Sequence, residues 1–291
     1  MRSVEDASTT PEPEPQGPPD TERAEPERPA EAVAHARIRA PARGNRRLEA
    51  LLEAANADLQ LKAWWHAAQV NATRLGMSDH SWVHIQIVVN IALRLFRLLQ
   101  RRGVEPDVVA GHGMRPHDAE VVIAGAVLVH CVGMSIHRTD HEAYSLFLAA
   151  GKLPTLLAGI YDEPERSVIV AEALHAIIGH RRRGEPFTLE AGIVRVADAL
   201  DMAKGRSRVP FEAGRMNIHS LSAAAIDEVR LEAGEERAVR IEVEMNNSSG
   251  IFQVDELLAT KLRGSGLEEH VEVVARIEAE HEKRLVPVFR L

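Results

Sequence analysis

The sequence predicts a mainly α fold: a Pro/Glu-rich tail over 1–45, an all-helical domain over 46–211 and a small α+β unit of β-β-α-β order over 212–291. Three observations predict it. From Arg46 to Met202, apolar residues recur at helical spacing. After Pro210 the period shortens to two, the mark of strands. Before Arg46 the chain is too polar and too rich in proline to offset its own chain entropy by burial.

Composition narrows the class. The chain has 291 residues and is 45% hydrophobic, enough for a sizeable core. Aromatics are 4%, so that core must be built from Leu, Val, Ile and Ala. A net charge of −8 argues against a general nucleic-acid or anionic-membrane binder. The single cysteine forbids an internal disulfide and fits a reducing cytoplasm. The longest apolar run, Val121–Val129, is far short of the roughly 20 residues of a membrane span and reads as a buried helix. The N-terminus lacks an apolar h-region, which predicts no signal peptide.

The elements follow in order. Eight of the fifteen prolines fall at or before Pro41 and no aromatic precedes Trp64, which defines the tail. Leu48, Leu51, Leu52, Ala55 and Leu59 mark the first helix. A second starts near Asp79 and runs to Arg101, before Gly103, with His84, Val88, Ile91, Leu95 and Leu98 as its inward stripe. Asp118 is the expected cap of a nearly all-apolar helix ending at His130, with Gly133 as its stop. Thr139 to Glu142 has the form of a capping box for a helix carrying Tyr144, Phe147 and Leu148. Asp162-Glu163-Pro164 opens a helix to His180, with Ala171, His175 and Ile178 on one side. Leu189 to Met202 puts Val194, Asp198 and Asp201 on one face. Val229 and Leu231 give a short strand, Gly234 a hairpin loop, and Val239, Ile241, Val243 and Met245 a second strand. Residues 252–262 read as a helix, and Val271, Val273, Ala275 and Ile277 alternate again.

Chemistry enters with the polar residues inside apolar runs: VHIQIVVNIA holds His84, GAVLVHCVGMSIH holds His130 and Cys131, and VRVADALDM holds Asp198. A polar group in such surroundings needs a partner, and a shared metal ion would serve all of them. Taken singly, a histidine on an apolar face is more often a hydrogen-bonded core residue than a ligand. Three inward polar positions on three helices point to a site. A thiolate at Cys131 suits zinc or iron better than magnesium or manganese; otherwise Cys131 is a small buried hydrophobe.

The order His84, then the pair His130-Cys131, then Asp198 resembles the HD-domain superfamily of metal-dependent phosphohydrolases across about residues 75 to 208. VHIQIVVNIAL is similar to that family's first-ligand helix, GAVLVHCVGMSIHRTDHE to its central His-Asp stretch, and GIVRVADALDMAKGRSR to its last-ligand helix. The resemblance implies that His84, His130 and Asp198 bind a divalent ion (zinc, iron or manganese). Cys131 stands where the family places an aspartate that bridges two metals or holds the hydrolytic water. Members with two metals draw further histidines from the region of His175 and His180. Five residues apart, these lie about 140° around a helix, and His175, on the expected stripe, is the preferred ligand. His180 would instead cap the helix C-terminus.

The remaining basic and histidine positions have two readings each. His137 and His141 could give a proton to a leaving group or be solvated loop residues. His80, one turn before His84, is a supporting partner or part of the N-cap. Lys204, Arg206 and Arg208 follow Asp198 closely and would hold a substrate phosphate. Arg181 to Arg183 reads as a solvated surface. No phosphate-binding glycine loop, Ser-His-Asp order or dinucleotide fingerprint is found. The expected activity is hydrolysis of a nucleotide or other small phosphoester by a cytoplasmic protein. One alternative is an inactive nucleotide- or metal-binding regulator. The other is a scaffold that pairs, as a homodimer for example, through its C-terminal strands.

Overall fold

A computed structural model describes residues 28–203 and 218–277. They form a mainly helical body with one small sheet at the C-terminal side.

The fold begins earlier than the sequence suggests. Helix α1 (Pro29–Ala34) and the extended chain after it pack on the domain, burying Ala36, Ile38 and Ala42. The Asn56 side chain accepts from Ile38 N–H at 2.7 Å and donates to Ile38 C=O at 2.8 Å. Residues 29–45 therefore belong to the domain and not to the tail: a few apolar side chains with satisfied backbone suffice to hold them.

Helix α2 (Arg46–Ala57) is capped by Asn45, which accepts from Leu48 N–H. The stripe from Leu48 does not run on through Leu59. Asp58 ends α2 and caps α3 (Leu59–Leu75), accepting from Leu61 N–H at 2.8 Å. Trp65 on α3 is buried, and its Nε1–H donates to Leu128 C=O at 2.8 Å. Helix α4 (Trp82–Arg101) starts at Ser81, whose Oγ accepts from Val83 N–H; Asp79 instead accepts from Ser81 N–H. After α5 (Asp107–Ala110) comes α6 (Pro116–Val129), buried from Asp118 onward. Asp118 sits in the first turn and accepts from Arg115 N–H at 3.0 Å, so it is a capping partner, not the cap itself.

A 3₁₀ turn, Val132–Ser135, leads to α7 (His141–Leu156). Its first residue follows Asp140 at φ 57°, with no side-chain cap, so the expected box at Thr139–Glu142 does not form. Helix α8 (Glu165–Gly179) buries Ile169, Ala173, Ala176 and Ile177, a face turned away from the expected Ala171–His175–Ile178 side. Helix α9 (Leu189–Leu200), capped by Thr188, is buried from Glu190 through Leu200.

The C-terminal unit has the expected β-β-α-β order. After α10 (Ile218–Ala224), strands β1 (Ile226–Ala233) and β2 (Val239–Met245) pair antiparallel, with Leu231 opposite Ile241. A π-helical segment, Gln253–Ala259, runs into α11 (Thr260–Leu262) and supplies the crossover that lets β3 (Val271–Ile277) pair parallel with β2. Ile226, Val239, Ile241 and Val243 share one hydrophobic cluster with α4, α6 and α9. A Cβ at Gly192 of α9 would stand 2.1 Å from Ser265 C=O, so a glycine is needed where the turn after α11 comes down on α9.

Two segments, α4 and Pro116–Ser135, are long and apolar enough to cross a membrane, yet 56% and 94% of their apolar windows are buried inside the protein. Burial within a shared core accounts for their composition.

Candidate metal centre

Four helices and one turn bring polar side chains to a single buried point. His84 comes from the first turn of α4, His130 and Cys131 follow α6, Asp198 lies in the last turn of α9, and His180 follows α8. His84 and His130 are fully buried, and Cys131, His141 and His180 nearly so.

The histidine orientations are fixed from behind. His84 Nδ1 lies 2.6 Å from Asp201 Oδ2, His130 Nδ1 2.8 Å from Val127 C=O, and His180 Nδ1 2.5 Å from Ile177 C=O. Each Nδ1 therefore donates, and each ring has Nε2 as its remaining nitrogen. The Nε2 atoms of His84 and His130 are 3.2 Å apart. Asp198 Oδ1 faces both, at 3.4 and 3.6 Å. Cys131 Sγ is 3.9 Å from His84 Nε2. Two imidazole lone pairs turned on each other beside a carboxylate call for a proton or a cation between them.

The donors fall into two overlapping triads, His84–His130–Cys131 and Cys131–His141–His180, each with all its ligand atoms within 4.8 Å of one another. The rings continue the chain: His130 and His180 centroids are 5.1 Å apart, and His141 and His180 6.0 Å. His141 Nδ1 lies 3.1 Å from an Arg138 guanidinium nitrogen and 3.2 Å from Glu142 Oε2. These buried His and Cys groups can hold a divalent metal ion.

Charge is distributed accordingly. Burial alone would push the His130 imidazolium down, but the Cys131 thiolate and Asp198 hold it up at about 9. Burial alone would raise the Cys131 thiol; the His130 charge and hydrogen bonds from His130, His141 and His180 bring it well below its usual value. Burial lowers His180. Cys131 is thus driven toward thiolate and His130 toward imidazolium, an ion pair whose shared proton a metal ion would displace.

Most of the expected residues meet here, with two corrections. His175 is half-buried, stacked on Phe187 with centroids 3.6 Å apart, and its Nε2 accepts from Phe187 N–H. His180 takes the place expected for His175, because α8 ends at Gly179 and His180 turns in on the same side as Ala173, Ala176 and Ile177. His137 is exposed in the loop and accepts from Thr139 N–H, away from the centre. His141, paired with it in the sequence as a proton donor, is buried against the centre. His80 is buried with its centroid 5.6 Å from that of His84, and its Nδ1 lies 2.7 Å from Ser78 C=O. Lys204, Arg206 and Arg208 lie outside the described residues.

Two participants receive no role from the sequence. Asp201 follows α9 and orients His84, although only its helix face was expected. Lys261 of α11 forms an ion pair with Asp198 Oδ2. Its spacing from Asp198 carries no periodic signal, because it belongs to a different structural unit.

Compared with known proteins, the chain matches no family model and no solved structure. It is similar to the uncharacterized protein MJ1020 of Methanocaldococcus jannaschii, with 38% identity over 216 residues, 74% of this chain and 82% of that one. Identity at this level over most of both sequences means that the chain belongs to the same family as MJ1020.

Proposed function

We propose that this protein is a metal-dependent phosphohydrolase of the HD type, acting on a nucleotide or other small phosphoester in the cytoplasm. The observation that carries the reading is the convergence of His84, His130 and Asp198, in the order the resemblance requires, with Nδ1 of both rings already committed. These residues would hold the ion together with Cys131. When bound, a divalent ion supplies Lewis acidity toward a phosphoryl group and acidifies water. Zinc or iron suits a donor set containing a thiolate.

The chain's own residues do the rest. Asp201 keeps His84 in the tautomer that presents Nε2, and Val127 C=O does the same for His130. His141, on the far side of Cys131, can hold or give a proton within reach of the centre. The burial of the rings keeps bulk water away and strengthens each of these interactions.

One observation favours a second reading, a binding protein without turnover. Cys131 stands where the resemblance places an aspartate, which leaves Asp198 as the carboxylate facing His84 and His130. The two readings separate in one experiment. Metal content and phosphatase activity are measured on the native protein, His84→Ala and Cys131→Asp across nucleotides and sugar phosphates. Near-stoichiometric zinc or iron, lost in His84→Ala, with hydrolysis by the native protein, is the expected result. Hydrolysis appearing only in Cys131→Asp would favour the binding protein. Absence of metal after exposure to zinc, iron and manganese would overturn the hydrolase reading and leave only binding without a metal.

A further inference from the structure

We infer that Lys261, carried in by the C-terminal unit, is the phosphate-contacting cation of this centre, so that the site is shared between the two structural units. The inference rests on the phosphohydrolase reading and names a binding residue for it.

The argument starts from access. His84 and His130 are sealed on all sides, and Cys131 and His180 nearly so. The side chains of Asp198 and Lys261 keep 12% and 14% of their surface exposed. The centre is therefore least sealed on the Asp198–Lys261 side, with the His141 side chain next at 9%, and an anion arriving beside Asp198 meets the Lys261 ammonium. Asp198 divides its oxygens: Oδ1 faces His84 and His130, and Oδ2 takes Lys261. Lys261 thus stands beside the donor set and leaves its Nε2 side clear. An ammonium has three donors, so pairing with one carboxylate oxygen leaves capacity for a phosphoryl oxygen.

The placement is built. Arg195, one turn before Asp198 on α9, is buried, and its guanidinium donates to five backbone carbonyls. Two belong to Thr260 and Lys261, and three to Gly179, Arg181 and Arg182 around His180. One side chain therefore pins both the Lys261 backbone and the loop that carries His180. A lysine merely resting on the surface would need no such anchor.

The test uses the full chain loaded with zinc, and inorganic phosphate as the probe. Metal content is read by elemental analysis, and phosphate affinity by calorimetry, for the native protein, Lys261→Met and Lys261→Arg. Lys261→Met is expected to keep its metal and lose at least about tenfold in phosphate affinity; Lys261→Arg is expected to stay within about threefold of native. Unchanged phosphate affinity in metal-replete Lys261→Met would overturn the inference, as would absence of phosphate binding by the native protein. Loss of metal in Lys261→Met, or in Lys261→Arg if the first variant does not fold, would also overturn it by making Lys261 part of the scaffold. A native protein that takes up no metal, yet binds phosphate through Lys261, would sink the hydrolase reading and leave the lysine's role standing.

Discussion

Gly133 shows how the central motif depends on a close approach of two backbones. It lies two residues after Cys131, in the 3₁₀ turn that packs on the first turns of α7. A Cβ placed there would stand 1.9 Å from His141 C=O and 2.5 Å from Ser145 N. Real Cβ contacts essentially never fall under 3.0 Å, so Gly133→Ala must move the turn and α7 apart by about 1 Å or more. The obstructing atoms are backbone and cannot rotate away. Separation strains two hydrogen bonds that tie the elements together, Gly133 N–H to Ser145 Oγ at 2.9 Å and Ser145 Oγ–H to His130 C=O at 2.7 Å. Overpacking costs about 1–3 kcal/mol, and each weakened hydrogen bond about 1 kcal/mol. We expect a loss of about 3–5 kcal/mol, a large share of a typical domain's stability. His141 moves with α7, so metal affinity should fall as well. Urea unfolding, with metal content measured in parallel, reads both effects. Gly125→Ala on buried α6 is the control: its Cβ would meet Leu153 and Leu51 side chains at 3.6 and 3.9 Å, ordinary contact, and helix propensity favours alanine. If Gly133→Ala is as stable as Gly125→Ala and holds its metal as well, the close-approach argument is wrong.

Two further predictions concern the support of the site, and a third the packing of His175 outside it. Asp201→Asn should weaken metal affinity about 10–100-fold through His84, since carboxylate partners of metal-binding histidines typically matter to that extent; competition with a chromophoric chelator would measure it, and an unchanged affinity would refute the role. Arg195→Lys keeps the charge but cannot span five carbonyls, so it should cost at least about 2 kcal/mol and lower zinc and phosphate affinity together; stability within error of native would count against it. Burial lowers the His175 pKa below its ordinary 6.5, so its stabilising contribution is present above pH 6.5 and is lost as pH falls through the lowered value. Histidine proton resonances should place its midpoint below 6.5, and Phe187→Ala should raise it; a native midpoint at or above 6.5 would contradict the packing seen here.

The sequence by itself determined the mainly helical class, the switch to a β-β-α-β unit after Pro210, and the burial of His84, His130 and Asp198. It could do so because period and burial are linked within one element: a polar residue on an apolar stripe goes where the stripe goes. The same rule failed on α8, where Val168, Ile169, Val170, Ala171, Leu174, Ala176 and Ile177 put apolar residues on most faces. Two phases were then compatible with the sequence, and only packing against α6, α7 and α9 selected the one that buries His180 and leaves His175 beside Phe187. Tertiary structure also decided that residues 29–45 are part of the domain, since Ala36 and Ile38 gain burial only from surfaces supplied by other elements. Lys261 is the clearest case. Nothing local marks it among the other surface lysines and arginines. It reaches Asp198 because Gly192 lets the C-terminal turn settle on α9 and Arg195 ties it there, relations between units that no periodicity within either one encodes.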